Sequence, residues 1–167
     1  RQDEISKGGI LAVKIIRQPG KIALIGAEWS ASTAGENGAQ TVALMHHLMR
    51  RHIKMALIGF DPQGPDNVAK EIKKLEATYG YKYGVDWVNF GFRPNTAINA
   101  TLKAVVRDFP GVADHDASNT KLTDTEKLPI MKQLKSMEDV GIIVEITPSD
   151  TYERWVAFVQ GYKTKQN

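Results

Sequence analysis

The chain contains no cysteine. That single absence removes disulfide frameworks, thiolate zinc sites and cysteine nucleophiles. It leaves the compartment open, because cysteine-free chains occur in oxidising and reducing places alike. Long apolar stretches are missing too. A membrane span needs about 20 such residues, and residues 10–16 (ILAVKII) are too few and carry Lys14. No signal-peptide pattern occurs. Nor is there a dense basic stripe. Twenty-two Lys and Arg against 19 Asp and Glu leave a net charge of +3, and nucleic-acid readers want clustered basic residues with aromatics between them. No nucleic-acid partner is expected.

Catalytic and cofactor signatures are also lacking. The chain holds no G-x-G-x-x-G, no G-K-[ST] and no G-x-S-x-G, the patterns of dinucleotide loops, phosphate loops and serine elbows. His46 and His47 are helix neighbours that do not face each other. His115 sits between Asp114 and Asp116 in a polar stretch, and adjacent residues rarely converge on one ion. Neither a metal nor a cofactor is expected, and whether the protein is an enzyme stays open, leaning against.

What is present is ordinary globular material. The chain has 167 residues, 42% hydrophobic and 25% charged, which suits one folded domain. Four apolar, β-branched runs stand out at residues 21–27 (KIALIGA), 53–60 (IKMALIGF), 85–92 (VDWVNFGF) and 140–147 (VGIIVEIT). Their near-continuous apolar character fits strands covered on both faces, though Asp86 and Asn89 make the third less so. Amphipathic segments at 39–51, 66–79, 96–109 and 150–160 read as helices. The second opens on an aspartate N-cap candidate and stops at Gly80. Lys70, Lys73 and Lys74 lie among Glu71 and Glu76 at helical spacing, a solvated, self-paired face.

Strand and helix alternating every 25–35 residues imply βαβ units. The expected fold is α/β: an open, mostly parallel sheet of four to five strands with helices on both faces, Rossmann-like or flavodoxin-like. Residues 1–20 are assigned as an N-terminal lead-in, 21–161 as the domain and 162–167 as a tail. Residues 10–17 fit either an edge strand or a helix. The polar stretch 113–127 reads as a mobile loop in preference to a lid, with a short helix at 129–137.

In an open parallel sheet, ligands bind beyond the carboxyl ends of the strands. That rule selects Glu28 and Ser30 after the first run, Asp61 after the second, Arg93 and Asn95 after the third, and Thr147 after the fourth. Glu28 and Asp61 stand at ends of neighbouring strands, where two carboxylates can hold a hard cation or divide acid and base roles. Arg93 is suited to a carboxylate or phosphate, and Asn95 to capping the next helix. The loop 26–41 is a poor phosphate cradle, since it lacks lysine and carries Glu28 and Glu36. Tyr79, Tyr81 and Tyr83 are core or interface anchors, because half-wet contact surfaces favour tyrosine. Ile10 and Ile15 are apolar interface candidates on the lead-in.

Three stretches, LMHHLMRRHIKMALIGFDPQGP, YGYKYGVDWVNFGFRPN and VGIIVEITPSDTYERWVAFVQG, together resemble an uncharacterised bacterial family of membrane-tethered α/β (Rossmann-like) domains. The likeness covers about two-thirds of the chain. It implies a membrane-associated location, on a side left unknown, with an anchor preceding residue 1 and further chain following the last helix. It carries no active-site residues. Two functions follow as expectations. The favoured one is a non-catalytic α/β interaction or structural module with protein partners in a membrane-associated assembly. The other is a small-molecule- or metal-binding domain, or an enzyme, with its site at the carboxyl ends of the strands.

Overall fold

A computed structural model describes residues 13–15, 21–94, 107–112 and 114–148, with 153 and 157. Five strands form one sheet: β1 (Val13–Ile15), β2 (Ile22–Ala27), β3 (Met55–Gly59), β4 (Trp87–Phe92) and β5 (Val140–Ile146), in spatial order β1-β5-β2-β3-β4. β2, β3, β4 and β5 run parallel, and β1 adds antiparallel at the β5 edge. The α/β open sheet is therefore as the runs imply, and within 10–17 the described residues Val13–Ile15 form an edge strand. The segments expected as helices at 96–109 and 150–160 fall almost wholly outside the described residues.

Period-two alternation divides the core into two layers. Ala23, Ile25, Met55, Leu57, Trp87 and Val144 face one side, where they meet Met45, Leu48 and Met49 of α1 (Ala34–Met49) and Val68 and Ile72 of α2 (Gly64–Tyr79). Ile22, Leu24, Ala56, Ile58, Val88 and Phe90 face the other. There Phe109, Leu122, Leu128, Ile130 and Leu134 cover them. Among the described residues that second cover is a one-turn helix at Phe109–Val112 and 3-10 turns at Pro129–Lys132 and Met137–Asp139.

Several local readings change. α1 begins five residues earlier than its apolar stripe. Gly35 and Gly38, which look like loop residues, lie inside it with open space around them. Asp66 lies in the first turn of α2, exposed. The capping carboxylate is Asp61, which accepts the N–H groups of Gln63 at 2.9 Å and Gly64 at 3.2 Å. The helix expected at 129–137 is two 3-10 turns, because Ser136 and Asp139 build a capping box that starts a new turn.

The stretch read as a mobile loop is instead laced down. Asp116 accepts hydrogen bonds from the Tyr83 hydroxyl at 2.6 Å and from the N–H groups of Ser118 and Thr120 at 2.9 and 2.7 Å. Leu122 then plugs into the core at 1% exposure. The polar residues do internal work, and that is why composition alone reads as solvent-facing.

Candidate functional site

The chain runs β2, α1, β3, α2, β4 outward across the sheet, then returns to place β5 on the opposite side of β2. That reversal puts the switch point of the strand order at the carboxyl ends of β2 and β5, the place where open α/β sheets bind ligands. Parallel neighbours lie about 4.8 Å apart. The rim residues therefore follow the strand order Thr147, Glu28, Asp61, Arg93, just beyond β5, β2, β3 and β4 in turn.

Glu28 sits at that switch point. Its N–H donates to the Ile146 carbonyl at 2.9 Å, which extends the β2–β5 pairing one residue past the strand. Its carboxyl accepts the Phe60 N–H at 3.0 and 3.1 Å, bridging to the turn after β3. α2 begins close behind: Gly64 has no side chain because a Cβ there would lie 1.9 Å from the Ala27 carbonyl oxygen. Glu28 is buried, and burial lifts its pKa from 4.5 to about 7, with the Phe60 N–H opposing and the Asp61 carboxylate adding to the rise.

Glu145 was not among the residues that strand-end reasoning selects, yet it completes the site. It pairs in register with Gly26 and is 2% exposed. Alternation turns it away from Val144 and Ile146, onto the side of Ile22 and Leu24. A Cβ on residue 26 would fall 1.7 Å from Glu145 Oε2, so the missing side chain of Gly26 is the space the carboxyl fills. Neither carboxyl oxygen has a hydrogen-bond partner among the described residues. Burial first, and the Glu28 charge second, push its pKa well above the ordinary carboxyl range. The sequence signal was an acid inside the otherwise apolar VGIIVEIT, opposite the glycine of KIALIGA.

The remaining candidates separate. Thr147 is buried beside this pair in sequence, at the β5 end. Asp61 is half-buried and holds the turn into α2. Ser30 lies further out, its hydroxyl 2.8 Å from that of Ser32. Arg93 is at the far end of the rim. Its N–H donates to Gly59 and its guanidinium to the Phe92 carbonyl, and burial lowers its pKa. Three strand spacings, about 14 Å, separate it from the β5 end, so it does not join the carboxyl pair. Asn95 lies outside the described residues.

The three tyrosine candidates bond within the chain. The Tyr79 hydroxyl is 2.6 Å from His46 Nδ1, Tyr81 donates to the Ile53 carbonyl at 2.7 Å, and Tyr83 serves Asp116. Ile15 lies in β1 opposite Ile142, and Ile10 is outside the described residues. Among the described residues no three His, Asp or Glu side chains are arranged to hold a metal, and no helix is long and apolar enough to cross a membrane. The chain matches no protein-family model, no curated protein and no solved structure.

Proposed function

We propose that the protein is a small-molecule-binding α/β domain whose site is the crevice between the carboxyl ends of β2 and β5. One observation carries this reading: the Glu145 carboxyl is buried with both oxygens unpartnered. Leaving a buried polar group unmade costs about 1–3 kcal/mol, and native folds keep few such groups. A ligand that supplies the missing donors offsets the cost. Glu28 at the same crevice, and the fold's general habit of binding at this point, support the reading. A docking module in a membrane-associated assembly has less to stand on, since Phe92 is the one large hydrophobic that is exposed among the described residues.

A thermal-shift panel on the full chain tests it, with amines, sugars, nucleotides and divalent ions as probes. A ligand at one hundred times its Kd adds about 2.7 kcal/mol, a shift that is easily read. The expected result is a hit that Glu145→Gln abolishes. A flat panel, or hits unmoved by that substitution, overturns the proposal.

A further inference from the structure

Three acids stand in a row on this rim, at the ends of three adjacent strands. Glu145 is near the end of β5, Glu28 follows β2 and Asp61 follows β3. Acids in a row do not by themselves make a site. The second observation is Glu145, 2% exposed, unpartnered at both oxygens, and near enough to Glu28 for the two charges to act on each other. None of the ion pairs among the described residues involves Glu28 or Glu145.

The chemistry of the missing partner follows by sign and by number. Phosphate is disfavoured: the helix that would receive it, α1, is preceded by Glu28 and has Glu36 in its first turn, and carboxylates repel an anion at this range. A divalent cation wants six or more oxygens converging on one point, whereas these acids are strung along an edge and do not form a three-ligand cluster. A neutral hydroxyl supplies one donor and no charge. An alkylammonium supplies three N–H donors and a positive charge that favours the ionised form of two acids whose burial otherwise holds their protons.

We infer that this crevice takes a small aliphatic amine, its primary ammonium group donating to Glu145 and Glu28, an inference that rests on the small-molecule reading above. The head enters past Glu28, which keeps 8% of its surface at the rim, while Glu145 lies deeper. Asp61, one strand further on, offers a third carboxylate to a second ammonium. A diamine therefore binds more tightly than a monoamine.

Calorimetric titration of the full chain tests this with 1,4-diaminobutane, n-butylamine, tetramethylammonium, 1-butanol, magnesium chloride and inorganic phosphate. The two primary amines bind one to one, the diamine more tightly. Tetramethylammonium, which has charge but no N–H, and butanol, which has no charge, bind at least roughly tenfold more weakly. Glu145→Gln and Glu28→Gln, nearly isosteric, each lower amine affinity by roughly tenfold or more, with a thermal melt to verify folding. Amine binding that neither substitution changes overturns the inference. Magnesium or phosphate binding that depends on Glu145 overturns the ligand class while leaving the small-molecule reading in place. No Glu145-dependent binding by any probe brings down both.

Discussion

Two buried acids, Asp116 in the layer that covers one side of the sheet and Glu145 in β5, are handled in opposite ways. Asp116 is 6% exposed and accepts three hydrogen bonds, from the Tyr83 hydroxyl and two backbone N–H groups. Glu145 is 2% exposed and accepts none. The first carboxylate organises the chain around it, converting a polar stretch into a packed cover. The second organises nothing in its own chain. A fold that satisfies one buried acid so fully, and leaves another bare at the point where its sheet reverses direction, uses the two for different ends. Asp116 belongs to stability. On the proposed reading, Glu145 serves recognition.

The comparison can be broken most forcefully by pH. Glu28 holds a proton in the folded chain that the unfolded chain releases near pH 4.5, so stability must fall as pH rises from about 4.5 to about 7. That shift alone corresponds to about 3 kcal/mol at about 1.4 kcal/mol per pH unit, and the raised Glu145 carries the decline further. Urea unfolding at pH 5 and pH 8 measures it. Equal stability at both would mean the crevice acids are solvated. Glu28→Gln should remove its share of the slope.

Next in size is Asp116→Ala, expected to lose about 3 kcal/mol by stranding the Tyr83 hydroxyl and two N–H groups. A loss below about 1 kcal/mol in chemical denaturation would show that water replaces the carboxylate and would erase the contrast. Glu145→Met should go the other way, gaining about 1–2 kcal/mol at pH 8, since it removes an unpartnered acid and keeps an unbranched side chain of similar length. If the melting temperature falls instead, Glu145 is a structural group like Asp116. Smallest is Ser30→Ala, under about 0.5 kcal/mol. Among the described residues its hydroxyl contacts Ser32, away from the carboxyl pair, and a larger change would move the edge of the site outward.

Local chemistry made the strands legible. Runs such as KIALIGA and IKMALIGF can sit only where both faces are covered, and they became β2 and β3. Glu28 and Asp61 were equally legible, because the residue after a buried parallel strand is at the rim whatever the sheet order. Glu145 was not. An acid in a strand ordinarily marks a solvent-facing position, and only the order β5-β2 sets it against Gly26. The stretch 113–127, expected as a loop, and 129–137, expected as a helix, differ from expectation for a related reason. Their polar groups bond one another while Leu122, Leu128, Ile130 and Leu134, spaced without helical or strand period, do the covering. Periodicity detects regular elements, and this layer is built from turns. Tyr83 illustrates the same limit. Its hydroxyl reaches Asp116, 33 residues away in sequence.

The interlock of Gly26 with Glu145 constrains how this chain can vary. Any side chain at residue 26 displaces the carboxyl, so an alanine there moves the acid without changing residue 145, and glycine at 26 is what lets the carboxyl lie where it does. The two positions form a single unit of change. Relatives with alanine at the first position should carry a small apolar residue at the second. Substituting Gly26→Ala together with Glu145→Ala should therefore fold better than Gly26→Ala alone, a comparison that thermal melts of the two variants decide.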